Sequence, residues 1–332
     1  MKPTVTHDWS YRGLQALILD NGLVRVVVLP ELGGKIWELH DLVNARQHLW
    51  QHPRLPASRV PFGSTFDDVF HGGWDDLFPN DVPENLAGEL YPDHGELWAL
   101  AWDWTASGSA DEVWIDLTVS TPISACTMVK RLTLRAGERA LRITQTLSNE
   151  SSRDLPYKWT QHLALSVDEP ARIDLPALSV YVEDFGNLRA GEPGQTYTWP
   201  ILVDADGTEH DMRRTLPQSS ERAEFQYATA LSDGWCALTH PDGTGIALAF
   251  DPDVFPSCWM FASYGGWRDL QVAILEPCTG YPVSVNDGVA AGTHRVLASG
   301  QQIETTMTAV LFDGLAEVTG VSRDGLVSGV SR

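Results

Sequence analysis

Three short segments place an ionisable side chain where its neighbours would hold it still. In Pro92-Asp93-His94-Gly95-Glu96-Leu97-Trp98 a histidine precedes a stretch whose Trp98, Leu100, Trp102 and Trp104 alternate onto one face of an expected strand, which puts His94 at a sheet rim. In Tyr157-Lys158-Trp159-Thr160-Gln161-His162-Leu163-Ala164-Leu165 a strand would turn Trp159, Leu163 and Leu165 one way and Lys158, Thr160 and His162 the other, giving a polar stripe. In Gln271-Val272-Ala273-Ile274-Leu275-Glu276-Pro277 an apolar strand ends in a carboxylate, and Pro277 is expected to stop the strand and leave Glu276 extended. Imidazoles and carboxylates are the groups that exchange protons once their surroundings tune them. Each of these residues, taken singly, also suits a structural task. A lone sheet histidine is more often structural, and Glu276 could bond backbone amides or an arginine such as Arg268.

Such side chains need a scaffold, and a period of two along the chain supplies one. Val113, Ile115, Leu117 and Val119 are apolar while Asp116 and Thr118 lie opposite. The same alternation returns in Leu141–Leu147 and Ile303–Leu311, and Leu23–Leu29, Gly245–Phe250 and Leu270–Glu276 read as further strands. Turn signals such as Asp20-Asn21-Gly22, Pro241-Asp242-Gly243 and Asn286-Asp287-Gly288 separate them. Many strands with short turns and no helical spacing imply an all-β protein, an antiparallel sandwich or barrel. No Pro/Gly/Ser linker divides the chain, so one domain is expected over residues 10–315, with 316–332 a C-terminal tail or a last strand. Gln51–Pro92 and Val182–Ser220 break the pattern. The first carries Pro53, Pro56, Pro61, Pro79, Pro83 and Pro92 and is expected to be mostly loop, of the kind that often serves function.

Composition narrows the partners. Among 332 residues, 23 Lys and Arg face 44 Asp and Glu, a formal charge of −21 that repels nucleic acid and anionic membranes and favours neutral ligands. No apolar run approaches the roughly 20 residues of a membrane span, and Met1–Ser10 lacks a basic segment followed by an apolar one, so a soluble, cytoplasmic protein is expected. Cys126, Cys236, Cys258 and Cys278 show no CxxC spacing and are expected to be reduced and mostly buried. The chain has 13 Trp, many beside Gly, Asp or His, and flat rings next to hydrogen-bonding groups suit a sugar as well as a sandwich core.

Taken in order, Leu29-Pro30-Glu31-Leu32-Gly33-Gly34-Lys35-Ile36, Gly72-Gly73-Trp74-Asp75-Asp76-Leu77-Phe78-Pro79, His94-Gly95, His162 and Glu276-Pro277 resemble the aldose 1-epimerase, or galactose mutarotase-like, family. The resemblance implies a large antiparallel β-sandwich, the galactose mutarotase-like supersandwich, binding a sugar on the concave face of one sheet. It implies His162 as acid and Glu276 as base, with His94 binding hydroxyls or handling protons, and it requires no metal or organic cofactor. Anomer exchange needs a proton removed from the anomeric hydroxyl and one given to the ring oxygen, each positioned transfer being worth roughly 10²- to 10⁴-fold. Family members carry an Asn and Arg pair in the loop before His94, whereas this chain has Trp74, Asp75 and Asp76, which marks a divergent branch. Lys158, Trp74 and Asp75 join His94 as candidate sugar contacts. Two other readings fit the same residues. Asp75 or Asp76 with Glu276 could form the carboxylate pair of a glycoside hydrolase or lyase-like enzyme, or His162 and Glu276 could only hold hydroxyls in a sugar-binding protein.

Overall fold

Alternating apolar residues become half-buried strands along most of the chain. The structure, a computed structural model, describes residues 2–332. It is about 51% strand and 5% helix, so the protein is all-β. In strand Glu112–Ser120 the residues Val113, Ile115, Leu117 and Val119 are buried and their neighbours are not, as the period of two requires.

The chain forms two compact units, Met1–His162 with Thr279–Met307, and Leu163–Cys278 with Thr308–Arg332. In the first unit Thr4–Tyr11, Leu14–Asp20, Val24–Leu29, Lys35–Asp41 and Trp74–Leu77 pair in that order, all antiparallel. A second antiparallel layer runs Asp103–Gly108, Glu112–Ser120, Cys126–Arg135, Ala140–Asn149. Asn21 clips the layers together, its amide donating to the Arg135 and Glu138 carbonyls at 2.7 and 2.8 Å.

The second unit repeats the plan. Ala177–Val182, Arg222–Leu231, Ser257–Tyr264 and Gln271–Cys278 form one antiparallel run. Arg172–Asp174, Trp235–Thr239 and Gly245–Ala249 form another, continued by Thr308–Phe312. The final residues are a hairpin, Leu315–Val321 against Val327–Ser331. Its inner end is fixed, because Asp174 accepts the Val318 N–H at 3.0 Å and Arg172 pairs with Glu317 at 2.8 Å. All four cysteines are buried and unbridged. Among the described residues no helix is long and apolar enough to cross a membrane.

Three local expectations change, and a fourth, the mostly looped Gln51–Pro92, holds with short strands inside it. Leu97–Ala99 is a 3-10 turn and the strand begins only at Asp103, because the backbone at Leu100 and Trp102 bonds Gly33 and Pro30 (both 2.8 Å) instead of a strand partner. The segment Tyr157–Leu165 is two strands, Leu155–Tyr157 and Thr160–Leu165, broken where Lys158 N–H bonds the Pro79 carbonyl (2.7 Å) and Trp159 exchanges bonds with Thr279. Pro277 does not stop its strand, which continues to Cys278 with Pro277 opposite Cys258. Proline's fixed φ fits an extended chain and removes only one donor. Within Gln51–Pro92, strand Trp74–Leu77 and a small hairpin, Glu84–Leu86 with Glu89–Tyr91, interrupt the loop.

Candidate functional site

In the first unit the segment Gly72–Leu77 sets two chemistries on opposite faces of one strand. The chain enters through Gly72, whose φ is +91°, and a Cβ there would lie 2.2 Å from the Trp50 carbonyl oxygen. Only glycine permits that approach. Strand alternation then turns Trp74 and Asp76 to one side and Asp75 to the other.

On the inner side Asp76 is saturated. Its Oδ1 accepts from Gln145 Nε2 (2.6 Å), Gln161 Nε2 (2.6 Å) and Trp159 Nε1 (3.2 Å), and its Oδ2 from Lys130 Nζ (2.9 Å). Burial alone would raise this carboxyl; the Lys130 charge and the amide donors reverse that and hold it below its ordinary value. Lys130 also donates to the Gly34 carbonyl (2.8 Å) and lies 4.8 Å from the centre of the Trp102 ring. Trp74 is buried, and its indole N–H is committed to Gln161 Oε1 at 3.0 Å. This network clamps Trp159 and Gln161, the residues that follow Lys158 and precede His162.

Asp75 faces the other way and forms a buried ion pair with Lys35, which also donates to the Gly72 carbonyl at 2.8 Å. Burial raises Asp75 and lowers Lys35, toward a neutral pair. Asp75 Oδ1 is buried without a hydrogen-bond partner among the described residues. His71 is pushed down to about 4 by burial, then by the charges of Lys35 and His52. His162 is driven well below the ordinary imidazole value by burial and the positive charges of His94, Lys35 and Lys158, so it is neutral near pH 7. Its ring meets the edges or faces of Phe66 and Phe70 near perpendicular, at 5.2 and 5.4 Å, and its Nδ1 has no partner among the described residues.

His94 has the opposite character. Its backbone is left-handed (φ +58°), and its ring stacks on Phe66 at 4.3 Å and 11°. Nδ1 faces Asp93 Oδ1 (2.9 Å) and Nε2 faces Asp81 Oδ1 (3.4 Å). Burial would lower it, but Asp81 and Asp93 outweigh that and raise it above the ordinary value. Asp81 also meets Lys158 Nζ at 3.0 Å, and Asp93 accepts the Phe66 N–H at 2.8 Å, fixing the ring shared by the two histidines. The turn depends on Gly95, where a Cβ would lie 2.1 Å from the Phe78 carbonyl oxygen. One imidazole whose hold on a proton is strengthened and one whose hold is weakened, with a phenyl ring between them, is an arrangement suited to proton exchange.

No family model matches the chain. Its backbone is similar to that of a protein from Escherichia coli K12 provisionally named as an aldose 1-epimerase, with TM-score 0.65 and 17% identity over 91% of this chain and 100% of that one. A second protein so named, from Klebsiella pneumoniae, gives TM-score 0.67 and 16% identity over 94% and 83%. A galactose mutarotase-like protein from Clostridium acetobutylicum gives 0.65 and 12% over 94% and 99%. The chain has the galactose mutarotase-like fold. At these identities the likeness is one of fold.

Within this fold the first unit gathers His94, Lys158, His162 and Asp75 from the sequence reading, and adds Lys35, Phe66, Phe70, His71, Asp81 and Asp93. Lys35 lies in the Leu29–Ile36 motif, but its ion pair with Asp75 has no spacing signature. Asp81 and Asp93 lie in and beside a proline-rich loop, where nothing announces which cation each will meet. Glu276 belongs to the second unit, buried on strand Gln271–Cys278 directly opposite Trp259. Among the described residues no group of three or more His, Cys, Asp or Glu could hold a metal ion.

Proposed function

We propose that the protein interconverts the anomers of a neutral monosaccharide, as an aldose 1-epimerase-type isomerase, with His162 as the acid at the ring oxygen and Glu276 as the base at the anomeric hydroxyl. The observation that carries this reading is His162 itself: a buried imidazole, neutral near pH 7, braced by Phe66 and Phe70 and with Nδ1 uncommitted. Donation requires the imidazolium, which at the lowered value of His162 is a minor but strongly acidic fraction near pH 7. Glu276 takes the anomeric proton as the bond from C1 to the ring oxygen breaks, and the two groups reverse roles as the ring closes.

The charge pattern supports a neutral substrate. Lys35 is paired with Asp75, Lys158 with Asp81, and His94 with Asp93, so each of these basic groups of the cluster has an acidic partner. Asp75 and Asp76 are both tied to lysines, which weighs against the hydrolytic reading.

The test follows freshly dissolved single anomers of several sugars by optical rotation. Catalysed equilibration is expected, and His162→Asn and Glu276→Gln should each slow it by about 10²-fold or more. The losses should not add in the double mutant, because both groups serve one step. Normal rates in either single mutant would overturn the assignment.

A further inference from the structure

Phe66 opens a single 3-10 turn, Phe66–Asp68, and its backbone N–H is one of the donors that such a turn leaves without an internal partner. Thr65, at the position before it, makes no side-chain bond to the turn. The acceptor comes instead from 27 residues further along the chain, where Asp93 Oδ2 takes the Phe66 N–H at 2.8 Å. The other oxygen of that carboxylate faces His94 Nδ1 at 2.9 Å, and the Asp93 carbonyl accepts the Trp98 indole N–H at 3.1 Å. The Phe66 ring lies flat on His94 (4.3 Å, 11°), while Trp98 and His162 stand nearly perpendicular to it (5.0 Å, 88° and 5.2 Å, 84°). Phe66 is buried in this close packing, so a displaced backbone displaces the ring and the imidazole it braces. His162 Nδ1 has no partner among the described residues, which leaves ring packing to set that side of the imidazole.

We propose that Asp93 is a positioning residue: by capping the Phe66 amide it sets the plane of the His162 imidazole, and with its second oxygen it orients His94, so that the two histidines are held as one unit. This rests on the anomer-exchange reading for what His162 does, though not for what holds it. A carboxylate that served the fold alone would be replaceable by any side chain that keeps the protein folded. A positioning one must keep an acceptor at the Phe66 N–H. Asparagine supplies that acceptor without the charge, and alanine supplies neither. The charged groups facing His94 are Asp81, Asp93 and Lys158, and those facing His162 are His94, Lys35, Lys158 and Asp81. Loss of the Asp93 charge therefore reaches His94 directly and His162 only through His94.

Two readouts separate hold from charge: NMR titration of isotope-labelled histidines, which needs no turnover, and kcat and KM for equilibration of single anomers. Asp93→Ala and Asp93→Asn should both lower the pH at which His94 titrates, because each removes a carboxylate that raises it. Above that titration, where the His94 charge no longer differs among the variants, only Asp93→Ala should shift the His162 ring signals, as the Phe66 ring leaves its place beside them. Asp93→Ala should also cut kcat about tenfold or more with KM nearly unchanged, and Asp93→Asn should recover most of that loss. Phe66→Leu keeps the capped amide and the apolar bulk but removes the flat ring, and it repeats the test if Asp93→Ala does not fold. Unmoved His162 signals in folded Asp93→Ala or Phe66→Leu, or an Asp93→Asn kcat as low as that of Asp93→Ala, would overturn the proposal. Moved His162 signals with no anomer exchange by the wild-type protein would retain the role of Asp93 and remove the isomerase reading; wild-type exchange with unmoved signals would do the reverse.

Discussion

Replacing Asp76 by Asn tests whether the buried network behind the site is held by charge. The asparagine keeps an oxygen for the three neutral donors now at 2.6, 2.6 and 3.2 Å, but it turns an NH₂ toward Lys130 and removes the charge that neutralises it. Breaking one partner out of a buried pair costs about 3–5 kcal/mol. Lys130 would retain the Gly34 carbonyl and the Trp102 ring, so the lower end, about 3 kcal/mol, is expected. The loss is a large share of a stability of about 5–15 kcal/mol. Adding Lys130→Met removes the stranded charge and should recover most of it. The assay is urea unfolding at pH 7, followed by tryptophan fluorescence and far-UV circular dichroism, with coincident transitions required before the midpoints are read as free energies. At that pH the Asp76 contribution is fully present: its folded value lies below the unfolded one, so it is lost only as pH falls below about 4. A single-mutant loss under about 1 kcal/mol, or a double mutant no better than the single, would refute the reasoning.

Other expectations follow from the same geometry. Gly95→Ala must accommodate a Cβ 2.1 Å from the Phe78 carbonyl oxygen, so it should lose well over 1 kcal/mol and displace His94, whereas Gly88→Ala, at φ +92° but in open space, should lose less. Comparing their urea midpoints decides this. Lowering pH from 6.5 through 4 should destabilise the protein by up to about 3 kcal/mol through His71 alone, because the unfolded chain takes up a proton that His71 accepts in the fold only near 4. The His71→Asn stability profile should lack that share of the slope, and superimposable profiles would exclude it. His94, faced by Asp81, Asp93 and Lys158, has the opposite sign: its raised value adds stability below about 6.5 that is lost as pH rises through the folded value, so His94→Gln should flatten the neutral-to-alkaline side of the same curve.

Period two was enough to place Glu112–Ser120, Ala140–Asn149 and Gln302–Phe312, because in a half-buried strand each residue's face is fixed by its own parity. Parity also put Lys158 and His162 on one side, and it survives the break at Lys158, since both reach the Asp81 and Phe66 side while Trp159 and Gln161 reach Asp76. The break itself was not legible. It depends on backbone bonds to Pro79 and Thr279, remote in sequence, and the Trp98 stretch lost its strand to the turn at Pro30–Gly33 in the same way.

The sequence by itself determined the all-β class, the regularly alternating strands, and which side chains could exchange protons, because those follow from local pattern and residue type. Tertiary structure alone decided which histidine holds a proton more tightly. His94 and His162 are the same residue type with the same intrinsic affinity for a proton. Two carboxylates from a proline-rich loop raise one, while burial between two phenyl rings among positive neighbours lowers the other. Coulomb interaction and desolvation depend on distance through space, and a linear chain does not contain that distance.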